Sequence, residues 1–229
     1  MGFLNRPEQK STNPTSKFME WKSNNKSFSF YEKELKQNVE VKLPLTFLVL
    51  EEYHTIKGFS DADQTGIYAN EILQISAEEF EVKTFAKETF KGRVIAKGTY
   101  SDIKGAVNAA GGNYNKSIYA VTKEGDLINI SFKGAAVSKW SQFTEKGAWK
   151  RLKDEWVTIE DAEDHKKGMV AYSTPNFKFN TSLSDYEFKI VEAKANELES
   201  YMDGYLAKDE ATKVEEPALV EDKIENVPF

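Results

Sequence analysis

The sequence predicts a mainly β fold (β plus α), in which a small barrel of strands carries extra helices and a C-terminal helix. One observation is the stretch 39–59, VEVKLPLTFLVLEEYHTIKGF, which alternates at its ends and is apolar on both faces in its middle. A second is the segment 101–112, where Ile103, Val107 and Ala110 follow helical spacing between two groups of strand-like segments. A hydrophobic fraction of 40% in 229 residues suits one large domain with a core.

The predicted elements follow one another in an order that is typical of a known barrel. Residues 1–16 are polar and contain two prolines, so we expect a flexible N-terminal arm before a domain at 17–208. Strands are expected at 39–59, 67–76 and 80–86, the last with a continuation at 92–97, followed by a helix at 101–112 and a hairpin of strands at 116–122 and 127–132. Pro44 and Gly58 should let the first of these strands bend, with a bulge at the glycine. Strand, strand, strand, helix, strand, strand is the order of the five-stranded barrel called the OB-fold.

Three further elements are expected after the hairpin. Residues 135–146 have helical spacing, and residues 168–180 are typical of a hairpin or a pair of edge strands. Ser184 and Glu187 form a capping-box pattern, which opens a predicted helix at 185–206. Residues 209–229 contain acids, a proline and little periodicity, so we expect a disordered acidic tail.

The composition excludes several classes of chemistry. The chain has no cysteine and only two histidines, His54 and His165, which removes disulfides, thiolate zinc sites, cysteine nucleophiles and multi-histidine metal cages. It has no Gly-x-x-x-x-Gly-Lys-Ser/Thr string for nucleotide phosphates. No stretch is apolar for the roughly 18 residues of a membrane span, and the start MGFLNRPEQKST has no apolar signal core. We therefore expect a soluble, unexported protein that is not an enzyme and has no catalytic residue, metal or cofactor.

Charge is divided unevenly along the chain. Residues 83–151 hold thirteen basic and five acidic side chains, a net charge of +8, while residues 209–229 hold seven acids and two lysines, a net charge of -5. A basic centre and an acidic end are typical of a polyanion binder with a tail that competes for its groove or seeks a partner. The alternative is that solvated lysines cluster without a ligand.

Aromatic and basic residues are interleaved in this basic region, as in proteins that bind single-stranded nucleic acid through phosphates and base faces. In the strand at 80–86, alternation places Lys83, Phe85 and Lys87 on the outward face and Val82, Thr84 and Ala86 on the inward face. The candidate DNA-binding residues are Trp21, Lys22, Lys57, Lys83, Phe85, Lys87, Lys91, Arg93, Lys97, Tyr114 and Lys116. The alternative for each aromatic residue is an ordinary place in the core.

Other aromatic residues are expected to be structural. Phe28 and Phe30 should anchor the first strand to the barrel. Trp140, Phe143 and Trp149 lie on or just after the second predicted helix, where the core is the favoured place for them.

The C-terminal residues indicate a partner-binding tip. Acids spread over about twenty residues end in Ile224-Glu225-Asn226-Val227-Pro228-Phe229. This resembles the C-terminal tip of bacterial single-stranded DNA-binding proteins, although Asn226 stands where that pattern has an acid. The resemblance implies that Val227, Pro228 and Phe229 bind replication or recombination proteins, through an aromatic ring, a rigid proline and a terminal carboxylate.

Strings in the middle of the chain carry a second resemblance. LPLTFLVLEEYHTIKGFSD, GTYSDIKGAVNAAGGNYNKSIYAV and LINISFKGAAVSKW look like strings that recur in this order in bacteriophage OB-fold single-stranded DNA-binding proteins. The resemblance covers about residues 28–146 together with the tip. It implies a protein that coats single-stranded DNA without cleaving it, during replication, recombination or repair in the cytoplasm of a bacterial host.

Two other functions remain open at this level. Glu160, Asp161, Glu163 and Asp164 are a carboxylate cluster that could hold Mg²⁺ in a nuclease or another replication enzyme, although a solvated acidic turn is the favoured interpretation. The other alternative is a protein interaction module whose tail binds a partner and whose domain ignores nucleic acid. The sequence does not determine the oligomeric state.

Overall fold

The computed structural model of the chain describes residues 13–87, 90–145 and 147–214, with only the backbone described for residues 205–214. One compact unit comprises residues 15–194, and a second includes residues 195–214 of the C-terminal helix. Most of the predicted N-terminal arm and the predicted partner-binding residues Val227, Pro228 and Phe229 lie outside the described residues.

Strands make up most of the regular structure. The strands are β1 (Lys17–Lys22), β2 (Ser27–Glu32), β3 (Gln37–Val41), β4 (Leu45–Ser60), β5 (Thr65–Ala69), β6 (Phe80–Thr84), β7 (Val94–Gly98), β8 (Gly112–Thr122), β9 (Leu127–Lys133), β10 (Glu155–Lys167) and β11 (Val170–Ser182). The helices are α1 (Tyr100–Ala109), α2 (Ala135–Thr144) and α3 (Asp185–Val214), with a short 3₁₀ helix at Ala148–Lys153. The prediction of a mainly β protein with added helices is confirmed. The strands β1, β2 and β10 were not predicted.

The strands form an open sheet. Among the described residues, eleven strands join in one sheet whose main path is β3-β2-β1-β9-β8-β4-β5-β6-β7, while β10 pairs with β4 and β11. The predicted closed five-stranded barrel is not observed. Closure would need the free edge of β9, and β1 occupies that edge as a parallel neighbour, with Met19 opposite Ile130.

The long central strand β4 differs from the prediction in two ways. The predicted strand at 39–59 is two strands, β3 and β4, because Pro44 lies between them and has no N–H to donate to a ladder. The irregularity in the β4–β8 pairing lies between Val49 and Glu51, not at Gly58. Gly58 instead allows close backbone approach, since a Cβ there would lie 2.2 Å from the carbonyl oxygen of Gly111.

Apolar residues collect on one face of the sheet in two clusters. Phe28, Ile130 and Phe132 belong to the first, against which α2 places the fully buried Trp140. Ile56 and Val107 belong to the second, beneath α1. Phe28 and its neighbour Phe30 are both buried, as predicted for residues that anchor the first strands. The opposite face also buries apolar side chains, among them Leu48 and Val121, and its side chains become exposed only towards the far ends of β4 and β5.

The helix α3 begins as predicted and ends later than predicted. The N–H of Glu187 donates to Ser184 Oγ at 3.3 Å, and the N–H of Ser184 donates to Glu187 Oε2 at 2.9 Å, which is a complete capping box. The helix continues to Val214 instead of ending at residue 206, so the first residues of the predicted disordered tail are helical. Ala, Lys and Glu are frequent in 207–214 and favour helix. Within the described part of the chain, no helix combines the length and apolar character needed to cross a membrane.

Candidate nucleic-acid interface

Three exposed aromatic rings lie together on β4, on β5 and just after β6, on the face opposite the two apolar clusters. Phe59 is 50% exposed, Tyr68 is 37% exposed and Phe85 is 51% exposed. We call these three residues the aromatic patch. Large apolar side chains gathered on a surface in this way indicate a binding site more strongly than single exposed residues do.

The register of the strands brings the aromatic patch together. Phe59 on β4 is opposite Gly66 on β5, and the N–H of Phe85 donates to the carbonyl oxygen of Gly66 at 2.9 Å. Gly66 has no side chain, and an added Cβ would lie 2.9 Å from Cδ2 of Phe85. The ring of Phe85 therefore lies over the backbone of β5, where it stacks on Tyr68 with centroids 4.4 Å apart and planes at 23°.

Two lysines flank the aromatic patch on the same face. Lys57, Tyr68 and Lys83 are opposite one another across β4, β5 and β6, and directly opposed residues share a face. Lys57 is half-buried, and its Nζ donates to Ser131 Oγ at 3.4 Å. Burial lowers the pKa of Lys57, against the raising effect of the Glu71 and Glu20 carboxylates.

The alternation predicted for this strand is confirmed as far as Phe85, while Ala86, which was predicted to face inward, is exposed because β6 ends at Thr84. Val82 and Thr84 are buried, Lys83 is half-buried and Phe85 is exposed. The Lys83 ammonium lies 2.7 Å from a carboxylate oxygen of Glu81. Both side chains of this pair are about one-third exposed, so the pair leaves the lysine accessible to a second anion.

Four further predicted basic residues lie around this end of the sheet. Lys87, Lys91, Arg93 and Lys97 are all exposed. Lys87 donates to the carbonyl oxygen of Gln64, in the turn before Gly66, and Arg93 Nε donates to Asp63 Oδ2 at 3.0 Å. Lys97 on β7 is opposite Glu81. Six of the predicted basic residues thus lie on β4, on β6 and β7, and in the segment between β6 and β7: Lys57, Lys83, Lys87, Lys91, Arg93 and Lys97.

Tyr114 and Lys116 do not belong to this surface. In the β4–β8 pairing they are opposite Ile56 and His54, which places them on the face away from Lys57. Tyr114 shares a 2.5 Å hydrogen bond with His54 Nδ1, and burial raises its pKa. Lys116 forms an ion pair with Glu52, and its side chain is only 13% exposed. Strand alternation thus places both residues on the opposite face of the sheet from the aromatic patch, and their role as DNA-binding residues stays a prediction.

Trp21 and Lys22 also lie apart from the aromatic patch. Trp21 is 5% exposed, and its Nε1 donates to the carbonyl oxygen of Ser173 at 3.1 Å, so its ring cannot stack on a base. Lys22 is paired with Glu20 on β1. Five strand steps separate β1 from β6, about 24 Å at the usual strand spacing. The sequence around Trp21 does not show which of its side chains become buried.

Two residues of the aromatic patch were missed by the sequence analysis. Phe59 alternates with Lys57, so the same reasoning that identified Phe85 beside Lys83 could have identified it. Tyr68 gives no such indication, because only its pairing with β4 and β6 brings it between two lysines. Trp149 was expected in the core and is 55% exposed, since the 3₁₀ helix directs Leu152 inward instead.

The predicted carboxylate cluster is part of a strand. Glu160, Asp161, Glu163 and Asp164 lie on β10, not in a turn. Glu163 pairs with Lys139 at 2.7 Å, Asp164 pairs with Lys26 at 2.6 Å, and Glu160 pairs with Lys178. The described residues contain no group of three or more His, Cys, Asp or Glu side chains placed to hold a metal ion.

Comparisons of the chain with protein-family models, with curated proteins and with solved structures find no match.

Proposed function

We propose that the protein binds single-stranded DNA with little sequence preference, through the aromatic patch and the basic residues around it. The observation that carries this proposal is the joint exposure of Phe59, Tyr68 and Phe85 on a surface flanked by lysines. Stacking requires only the face of a base, and phosphate pairing requires only the backbone, so neither contact reads sequence.

Each part of the surface has a role in this mechanism. Bases stack on the exposed parts of the Phe59 and Phe85 rings, while Tyr68 stacks on one face of the Phe85 ring. Lys83 exchanges its exposed contact with Glu81 for a phosphate, at small cost because such surface pairs contribute little. Lys57 gains more from a phosphate than an exposed lysine does, since its ammonium lies where burial disfavours the charge.

The order of elements agrees with this proposal in part. From β4 through β9 the chain contains strands, then α1, then the β8–β9 hairpin, and β4 pairs with both β5 and β8. An OB-fold, a common scaffold for single-strand binding, has three strands before its helix and two after it, whereas this chain has four before α1 because β7 is a separate strand antiparallel to β6. The domain is here proposed as an opened and enlarged version of that fold. The C-terminal Val227, Pro228 and Phe229 are proposed to bind replication or recombination proteins, so that the domain holds the strand and the tail recruits partners.

An anisotropy titration of the full chain with fluorescently labelled oligo-dT tests the proposal. Six basic residues near the aromatic patch predict a log-log salt slope of about -4, because single strands lose about 0.7 per phosphate neutralised. A slope near zero removes the basic surface from the mechanism. Absence of binding at low salt overturns the proposal and favours a protein interaction module.

The labelled oligonucleotide from the same titration, run on a denaturing gel, separates binding from cleavage. Addition of Mg²⁺ should leave the labelled oligonucleotide intact on a denaturing gel. Time-dependent shortening that requires Mg²⁺ and is lost in Glu163→Gln would instead identify a carboxylate-dependent nuclease. A competition with unlabelled oligo-dA and oligo-dC of equal length measures how weak the sequence preference is.

A further inference from the structure

Of the four tryptophans of the chain, Trp149 is the one whose side chain is exposed to solvent. Trp140, Trp156 and Trp21 are 0%, 2% and 5% exposed, while Trp149 is 55% exposed. An exposed indole is unusual, since tryptophan is highly buried on average and dominates binding when it lies on a surface. The proposed function does not use this residue.

Trp149 lines a cavity between the 3₁₀ helix and β4. The cavity has a volume of about 240 Å³ and is lined by Val49, Leu50, Glu51, Glu52, Thr144, Trp149, Leu152 and Lys153. We call it the Trp149 pocket. Its walls are mainly apolar, with carboxylates on the β4 side and a lysine on the opposite side. A nucleobase needs such a slot, with an aromatic face to stack on and a few polar groups at its edge.

Glu51 is the carboxylate that remains able to accept a hydrogen bond from a ligand. Glu52 already accepts from Trp140 Nε1 at 2.5 Å and from Lys116 through its other oxygen. Glu51 is exposed and accepts, among described residues, only from the N–H of Glu52 at 3.1 Å. It follows the irregularity in the β4–β8 pairing, and such irregularities re-aim side chains.

Basic residues surround the mouth of the Trp149 pocket. Lys150 Nζ lies 5.6 Å from the centroid of the Trp149 ring, and Lys153 lines the pocket itself. Both lysines are exposed, and neither forms an ion pair with another residue in the described part of the chain. Arg151 is engaged elsewhere, since it pairs with Glu155 at 2.5 Å. Two lysines beside an aromatic ring match a nucleotide, which joins an anionic phosphate to a flat base.

We propose that the Trp149 pocket binds one base of the single strand and prefers a base with an exocyclic amino group, such as cytosine, over thymine. The base stacks on Trp149, its amino group donates to Glu51, and Lys150 and Lys153 neutralise the flanking phosphates. This proposal rests on the proposed function and adds a second, base-selective contact to it. Glu51 and Phe59 are eight residues apart on β4, at most about 27 Å, so one strand reaches both.

Intrinsic fluorescence provides a direct test, because Trp149 is the tryptophan that solvent and a stacked base reach. The full chain is titrated with oligo-dC and oligo-dT of equal length and charge, with anisotropy of a labelled oligonucleotide recorded in parallel. Oligo-dC should quench the tryptophan emission and bind about tenfold more tightly than oligo-dT, the usual effect of one hydrogen bond to a charged group.

Two variants identify the contacts. Glu51→Gln should bring the oligo-dC to oligo-dT affinity ratio within about twofold. Trp149→Phe should keep most of the binding and lose the fluorescence change. Glu145→Gln is the matched control, because it removes an exposed carboxylate outside the pocket.

The outcomes distinguish the two proposals. If oligo-dT binds and binding depends on Phe85, but neither oligonucleotide changes the tryptophan emission, the Trp149 pocket proposal is overturned and the proposed function stands. Quenching with equal affinity for both oligonucleotides overturns the role of Glu51. If no oligonucleotide raises the anisotropy, the proposed function fails and this inference fails with it.

Discussion

Replacement of Phe85 with alanine should weaken binding of single-stranded DNA while leaving the protein folded. The ring is half exposed and lies on the surface of β5, so it can stack on a base without any rearrangement of the core. A stacked base is worth about 1–3 kcal/mol by alanine substitution. We therefore expect the dissociation constant for oligo-dT to rise by about 5-fold to 150-fold.

Phe85→Ala should lower the free energy of unfolding by less than the total stability of the domain. Phe85→Ala removes roughly half the burial of a phenylalanine, about 1 kcal/mol, and the stacking on Tyr68, about 0.5–1.5 kcal/mol. A domain of this size is usually stable by about 5–15 kcal/mol. The variant should thus unfold at a lower urea concentration and remain folded in buffer.

Anisotropy titrations and urea unfolding of the same preparations separate these effects. Val82→Ala is the matched control, since Val82 is fully buried on the same strand and faces the core. It should lower stability by about 1–3 kcal/mol and leave oligo-dT affinity unchanged. If Phe85→Ala fails to fold, or binds oligo-dT as tightly as the unaltered chain, the ring is a structural residue and the aromatic patch is not the binding site.

A second variant keeps the ring and moves it. In Gly66→Ala the new Cβ would lie 2.9 Å from Cδ2 of Phe85, so the side chain must shift while the backbone need not. The dissociation constant of Gly66→Ala for oligo-dT should lie between that of the unaltered chain and that of Phe85→Ala. In the double variant, Gly66→Ala should have no further effect, because the ring that it displaces is gone.

Three other changes have expected outcomes that follow from the structure. Gly58→Ala should lower the free energy of unfolding by at least about 2 kcal/mol, because its Cβ would lie 2.2 Å from a backbone oxygen, whereas Gly105→Ala should raise it by about 0.5–1 kcal/mol since nothing lies within 4 Å of the new methyl group. A hydrogen bond from the Lys123 ammonium, together with those from Ser184, lowers the pKa of Glu187 to about 2. This carboxylate therefore contributes stability above pH 4.5 that is lost as the pH falls towards 2. In urea unfolding, Glu187→Gln should lower the free energy of unfolding by about 1 kcal/mol at neutral pH and leave it unchanged at pH 2. Removal of residues 215–229, which carry five acids and one lysine, should tighten oligo-dT binding in low salt and have little effect in high salt, because exposed charges are screened over about 8–10 Å.

Each of these three has an outcome that contradicts it. Equal stability of the two glycine variants would mean that β4 does not approach the turn after α1 as closely as described. A constant effect of Glu187→Gln from pH 7 to pH 2 would assign its cost to something other than the ionised carboxylate. Deletion of Phe229 alone is the control for the tail, since it removes no acidic side chain and should leave DNA affinity unchanged while it abolishes capture of replication proteins. Weaker DNA binding after removal of 215–229 would make the tail part of the binding site.

Local patterns account for the parts of the structure that the sequence predicted well. The alternation in β6 placed Val82 inward and Phe85 outward because side chains of a strand point to opposite faces in turn. The hairpin between β8 and β9 and the capping box at Ser184 were also predicted, since each depends on residues within a few positions of one another. The mainly β character follows from the same short-range periodicity.

Only the tertiary structure decided which strands are neighbours, and this determines both the sheet and the site. Period-two alternation gives each strand two faces but does not say which edge pairs with which, so the parallel pairing of β1 with β9 and the resulting open sheet were not predictable from it. The same limit explains why Tyr68 was missed and why Trp21 and Trp149 were assigned to the wrong places. Burial depends on what the rest of the chain places over a residue, and those contacts span up to 152 positions, as in the hydrogen bond from Trp21 to Ser173.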